Sequence, residues 1–253
     1  MGRNLSREEL IAHKDEALKS LDTYMMSLID SHEQKIQNKS DKLSYWIEDW
    51  VTFLDFEPRF SSASLRRYKR GEIIKAHLGY NVGSEEGGLH YCVVIDKNNS
   101  KNSPVITIIP LTSVKPWTDI KNLKKGSIYL GNELFTNLSS KISLVRKTLD
   151  TNIHTLQKRI DAIDAKIDLD EFVSIQKDIE SARKEQSLLF RMMNEVDNMR
   201  KGSIALTNQI STISKIRIYD PKTNFDILSN VKLSNEKLDL IDNEILRNLT
   251  GHK

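Results

Sequence analysis

Residues 5 to 57 contain no glycine or proline, and their apolar positions recur at helical intervals. Leu10, Ala17, Leu21, Met25, Leu28 and Ile36 form one stripe. Leu43, Ile47, Trp50, Val51 and Leu54 form a second, ending before Pro58, with the polar run 37–41 as the expected break. Ser6 and Glu9 have the spacing of a capping box at the start of the first helix. The pattern predicts a helical pair whose apolar faces need cover from each other, from the rest of the chain or from a partner.

From residue 71 the period changes. Residues 73–78, 91–95 and 105–109 are β-branched and apolar, and the turn-forming run 98–104 separates the last two. Residues 127–130 predict a further short strand. Helical periodicity then returns, with no glycine or proline between Gly131 and Gly202. Leu138, Ile142, Val145, Leu149, Ile153, Leu156, Ile160, Ile163 and Ile167 follow one another in steps of three or four, a near-heptad seam. Asp168, Leu169 and Asp170 predict a turn and cap, and Phe172, Ile175, Ile179, Ala182, Leu189, Met193 and Val196 a returning stripe. Two helices of about 30 residues would each span about 45 Å. Strand-like sequence resumes at 203–213 and 215–218, residues 221–230 read as loop, and Ser234 caps a last amphipathic helix. A hairpin that returns the chain to its starting point is most simply an insertion in one β domain. The expected division is a helical extension (1–66), a β domain with a C-terminal helix (67–131 and 201–250) and an inserted coiled-coil hairpin (132–200).

Composition narrows the setting. The 253 residues are 38% hydrophobic and 29% charged, enough for one or two domains with a real core. A net charge of +3 demands no polyanionic partner. The single cysteine, Cys92, excludes an intramolecular disulfide and reads as a buried thiol. No apolar run approaches the roughly 18 residues of a membrane span, and the first residues are polar, so a soluble cytoplasmic protein is expected. His13, His32, His77, His154 and His252 lack ligand spacing with cysteines or acids, so neither metal nor cofactor is expected.

Chemistry concentrates in one place. Four of the ten glycines lie between Gly79 and Gly88, in a polar loop carrying Glu85 and His90 and running into the strand of Tyr91 to Ile95. The next strand ends in the hydroxyl pair Thr112 and Ser113. A carboxylate, an imidazole and hydroxyls at one end of a sheet can exchange protons and hold an anion. The basic residues Arg66, Arg67, Lys69 and Arg70, with Tyr68 among them, and Lys115, Lys121, Lys124 and Lys125, near Trp117, could grip phosphates while an aromatic ring stacks on a base.

The β segments together resemble the MazF/PemK family of toxin endoribonucleases. The residues that carry the resemblance are Lys69-Arg70-Gly71-Glu72-Ile73-Ile74 as the opening strand, Gly83 to Tyr91 as the Gly-rich loop, Cys92 to Ile95 as the strand after it, Pro110-Leu111-Thr112-Ser113 as a strand end, and Asn208-Gln209-Ile210-Ser211-Thr212-Ile213 as a late strand. The N-terminal helices and the insertion lie outside it. The resemblance implies an α+β protein: a small SH3-like antiparallel β-barrel with a C-terminal helix, here with the long helical hairpin inserted and helices added at the N-terminus. It implies a homodimer that cleaves single-stranded RNA without metal, leaving a cyclic phosphate, and that is silenced by a cognate antitoxin protein. It makes Thr112, Glu85 and position 90 catalytic, with Ser113, Asn208, Gln209, Ser211, Thr212 and Tyr91 holding substrate, and Lys115 of the second basic run is expected to join them. The sequence departs from the family where an arginine becomes His90, the following proline becomes Tyr91, an acid becomes Asn208 and a second arginine becomes Ser211. Histidine carries protons well near neutral pH but is a weaker fixed cation than arginine. Two expectations follow: an mRNA-cleaving toxin, or a catalytically inactive module that binds nucleic acid or protein and uses the coiled coil to oligomerise.

Overall fold

A computed structural model of the chain describes residues 4–163, 169–199 and 202–250. The chain forms two compact units, residues 1–58 and 59–253. The first is a helical pair, α1 (Arg7–Ile29) and α2 (Gln34–Phe56). The capping box is present: the Ser6 amide donates to Glu9 Oε2 at 2.7 Å, and the Glu9 amide to Ser6 Oγ at 3.2 Å. The break falls at residues 30–33 rather than the expected 37–41. The Gln37 side chain reaches back to the Ile29 and Ser31 carbonyls at 3.3 and 2.9 Å, so polar residues that looked like a linker satisfy the end of α1 from within α2. Leu28 and Leu43 are buried, whereas Trp50, Val51 and Leu54 of the second stripe stay about half exposed.

The second unit is built on seven antiparallel strands: β1 (Ile73–His77), β2 (Leu89–Val94), β3 (Val105–Ser113), β4 (Ser127–Gly131), β5 (Ser203–Leu206), β6 (Ser211–Ser214) and β7 (Ile218–Asp220). Their order is β4-β5-β3-β2-β1-β7, and β6 pairs with β3. The long β3 is shared: residues 105–108 pair with β6 and residues 111–113 with β5. The expected barrel is thus met as an antiparallel sheet, and among the described residues no pairing joins β4 to β7. Ile73 pairs with Val93 and Val93 with Ile109, while Ile74 pairs with Cys92 and Cys92 with Pro110. Each set lies on one face, because side chains alternate along a strand. Both faces are covered. Ile73, Val93, Ile109 and Leu111 pack with the helices, and Ile74, Ala76, Cys92, Val94, Ile106 and Ile108 pack with Leu65 and Tyr68. That is why these strands read as unbroken apolar runs.

The insertion is an antiparallel pair, α3 (Glu133–Asp161) and α4 (Leu169–Asn198). Its root belongs to the sheet's core: Leu134, Leu138 and Met192 are buried among Val93, Ile109 and Leu130. Lys141 pins α3 to the loop before the last helix, donating to the Asp226, Ile227 and Ser229 carbonyls at 3.0, 2.8 and 2.8 Å. Farther out the seam is only partly covered. Leu149 and Leu156 are buried, but Ile153, Ile160 and Ile163 are more than 40% exposed. Two helices can shield only the positions that face each other. Ile167 and the Asp168 cap lie outside the described residues. The C-terminal helix α5 (Asn235–Leu249) starts at Ser234, whose Oγ accepts from the Lys237 amide at 3.3 Å.

Candidate nucleic-acid cleft

Loop 79–88 sets the position of everything that follows it. The Gly88 amide donates to the Gly79 carbonyl at 2.7 Å, and the Leu78 amide donates to the Gly88 carbonyl at 2.7 Å, which closes the loop at its neck. Gly88 sits at φ 82°, in the left-handed region that favours glycine. A Cβ on Gly87 would stand 2.7 Å from the Gly79 carbonyl oxygen, so the neck requires a residue without one. Gln209 latches the loop from outside: its Nε2 donates to the Ser84 carbonyl at 3.1 Å, and its Oε1 accepts from the Glu86 amide at 3.4 Å.

The loop delivers His90 to the start of β2. There His90 pairs with Ala76 of β1, while Thr112 pairs with Ile204 of β5. Both line one cleft of about 450 Å³, together with Tyr91, Ser113, Lys75 and Glu195. The cleft takes side chains from both faces of β2, because it opens where that strand begins. The His90 ring is held at both nitrogens: Nδ1 lies 3.3 Å from the Leu111 carbonyl and Nε2 lies 3.5 Å from Glu86 Oε2. Both neighbours are acceptors, so a ring carrying two protons satisfies both.

The carboxylate at the ring is therefore Glu86, not the expected Glu85. Glu85 is exposed and turns away, its Oε2 accepting from the Val82 amide at 3.4 Å. It lines a second, more polar groove of about 500 Å³ with Asn208, Gln209, Ser211, Thr212 and Arg217. The structure thus separates the expected residues into two places. His90, Tyr91, Thr112 and Ser113 share the first cleft; Glu85, Asn208, Gln209, Ser211 and Thr212 share the second. Glu86 lines the groove and touches the His90 ring of the cleft. Lys115 is exposed, its ammonium 5.8 Å from the Trp117 ring, and that ring is 79% exposed.

In the other basic run Arg67 and Lys69 are exposed, whereas Arg66, Tyr68 and Arg70 are engaged within the protein. Arg66 is buried, donating to Glu72 Oε1 at 2.9 Å. Tyr68 is 1% exposed and donates its hydroxyl to the Pro221 carbonyl at 2.7 Å, so its ring cannot stack on a base. Arg70 pairs with Asp242 and with the Ile95 carbonyl.

Two residues of the first cleft escaped sequence reasoning. Lys75 Nζ donates to Glu195 Oε1 at 2.7 Å and stands 5.3 Å from the centre of the Tyr91 ring. The Tyr91 hydroxyl donates to the same carboxylate oxygen. Burial, and then the bond to Glu195, hold the Tyr91 phenol well above its ordinary range. Lys75 had a signal, a lone charge inside the apolar strand Ile73-Ile74-Lys75-Ala76. Glu195 had none, being one acid among many on a long helix. Among the described residues, no three His, Cys, Asp or Glu side chains are grouped to hold a metal ion.

Comparison with known proteins supplies the family. None of the curated individual proteins matches the chain. The description that does match is "PemK-like, MazF-like toxin of type II toxin-antitoxin system", over residues 69–198, just over half of the chain. That span holds the Gly-rich loop, the His90–Thr112 cleft and the inserted hairpin, and the chain belongs to the PemK-like, MazF-like toxins of type II toxin-antitoxin systems.

Proposed function

We propose that this chain is an endoribonuclease toxin that cuts single-stranded RNA by attack of a 2′-hydroxyl on its own phosphodiester, using no metal. The observation that carries the reading is that His90 and Thr112 line one open cleft, with the Glu86 carboxylate meeting the His90 ring from the adjoining groove. The Glu86 carboxylate takes the proton of the 2′-hydroxyl, and the freed oxygen forms its bond to phosphorus. His90 gives a ring N–H proton to the 5′-oxygen as the P–O5′ bond breaks. The products are a 2′,3′-cyclic phosphate and a 5′-hydroxyl. Thr112 donates to a non-bridging phosphate oxygen, and Ser113 supports it. The groove of Glu85, Asn208, Gln209, Ser211 and Thr212 offers amides and hydroxyls to a neighbouring nucleotide, and Lys115 with Trp117 extends the path along the strand. The β domain acts as a barrel-like scaffold that pairs into a homodimer, and an antitoxin protein holds it silent.

The test is incubation of purified protein with single-stranded RNA and EDTA, followed by analysis of fragment ends. Cyclic-phosphate ends from the wild type, and intact RNA from His90→Ala and Thr112→Ala, are expected. RNA left whole by the wild type refutes the nuclease. Equal cutting by both variants moves the site elsewhere. The second reading, a binding module without catalysis, is favoured by one observation: positions 90 and 211, where the resemblance implies arginines, are His90 and Ser211. RNA retention without any new ends would select it.

A further inference from the structure

The cleft proposed to hold a phosphodiester already holds an anion of the protein's own. Glu195 lies in the last turn of α4, on the inserted hairpin, and only 20% of its side chain is exposed. A single oxygen, Oε1, receives both the Lys75 ammonium at 2.7 Å and the Tyr91 hydroxyl. An ammonium and a phenolic O–H converging on one anionic oxygen is the donor set that binds a non-bridging phosphate oxygen equally well. These residues line the same cleft as His90 and Thr112. Asn198 and Met199, just beyond Glu195, line it too. The end of the hairpin is therefore part of the cleft's wall.

We infer that Lys75 and Tyr91 form a phosphodiester-binding corner of this cleft, and that Glu195 occupies it as a built-in competitor of RNA. This rests on the nucleic-acid reading of the cleft given above. The corner supplies a fixed cation to the cleft that His90 lines, and Glu195 neutralises that cation while α4 is seated. RNA entry requires the Glu195 carboxylate to leave Lys75, by a rotamer change or by a shift of the last turn of α4. Met192, one turn earlier, is fully buried and keeps the helix in place meanwhile.

The test uses the full chain and a fluorescein-labelled, mixed-sequence 2′-O-methyl RNA, which has no free 2′-hydroxyl and cannot be cut. Anisotropy titrations compare wild type, Glu195→Gln, Glu195→Ala, Lys75→Met and the Glu195→Gln/Lys75→Met double variant over a range of salt. Glu195→Gln is expected to bind about tenfold tighter and to steepen the log–log salt slope by about 0.7, one extra phosphate contact on a single strand. The double variant loses both gains. Lys75→Met alone is expected to bind RNA more weakly than wild type, because it removes the corner's cation and leaves the Glu195 carboxylate unpaired in the cleft; this arm remains readable if the Glu195 variants fold poorly. Wild-type or weaker binding by both folded Glu195 variants overturns the inference, and so does unchanged binding by Lys75→Met. Cleavage of unmodified RNA is followed in parallel. Tighter binding with no cleavage by any variant refutes the nuclease alone, whereas cleavage without tighter binding refutes the competitor alone.

Discussion

His90 and Thr112 line one cleft where β2 begins and β3 ends, with the imidazole anchored to the Leu111 carbonyl at 3.3 Å. Each is held by sheet register, His90 against Ala76 of β1 and Thr112 against Ile204 of β5. Register is a strong constraint here, because a slip of one residue would turn the buried strand residues from one core to the other.

The division of labour between two adjacent acids can be measured. Glu86→Gln removes the carboxylate 3.5 Å from His90 Nε2 and should lower the RNA cleavage rate by about 10²-fold or more. Glu85→Gln should leave the maximal rate within a few-fold of wild type and act on substrate affinity or base preference. Single-turnover cleavage of a short RNA reads both; a rate loss confined to Glu85→Gln would reverse the assignment.

The neck of the loop tolerates no side chain at position 87. In Gly87→Ala the new methyl meets the Gly79 carbonyl oxygen at 2.7 Å, and that oxygen is held by the Gly88 amide. Relief requires a backbone shift, at a cost of about 1–3 kcal/mol. Cleavage should fall together with the melting temperature, and an unchanged melting temperature would show that the neck relaxes freely.

The hairpin should be stable at its root and permissive toward its tip. Leu138→Ala and Met192→Ala empty fully buried positions and should each cost about 2–5 kcal/mol in urea unfolding. Leu144→Ala and Ile153→Ala, at 65% and 48% exposure, should stay within about 0.5 kcal/mol of wild type. Equal costs at root and tip would mean that the exposed seam is covered in solution.

Arg66 and Glu72 form an ion pair with side chains only 5% exposed on each side. Removal of one partner strands a buried charge, so Arg66→Met and Glu72→Gln should each destabilise by about 3–5 kcal/mol. The double variant should cost less than the sum, and strict additivity in a double-mutant cycle would show that the two do not interact.

Alkaline pH should loosen the fold through two phenols. Burial holds both Tyr68 and Tyr91 above the usual tyrosine value of about 10, and the Glu195 bond adds to the effect at Tyr91. A folded-state value above the unfolded one means that this stability is fully present below pH about 10 and is lost as pH rises further. Phenolate absorbance from these two residues should appear only as the protein unfolds. In Tyr91→Phe the late-ionising signal should shrink by one phenol.

Much of the architecture was legible because it is written in local pattern. The change from helical to β-branched periodicity near residue 71, the glycine-free stretch after Gly131 and the cap at Ser234 each reflect short-range preferences, and each element appears where they point. Two local readings failed for non-local reasons. The polar run 37–41 became helix because Gln37 could satisfy the end of the preceding one. Arg66 and Tyr68 of the basic run became core because Glu72 and the Pro221 carbonyl lay ready to receive their charge and hydroxyl, while Arg67 and Lys69 stayed exposed.

The candidate site divides the same way. The chain's own order determined that Glu85, Glu86 and His90 would share a Gly-rich loop and that Thr112 would end a strand, since both facts are matters of spacing. Tertiary structure alone decided that Glu86 rather than Glu85 meets the imidazole, and that Glu195, more than a hundred residues away, closes on Lys75 and Tyr91. Which carboxylate reaches which donor depends on how a helix root seats in a core and how a loop neck is tied. The Glu195 contacts span more than a hundred residues, over which spacing carries no information, and even the four-residue Glu86–His90 contact was chosen by the loop neck and by the Gln209 latch from a distant segment of the chain.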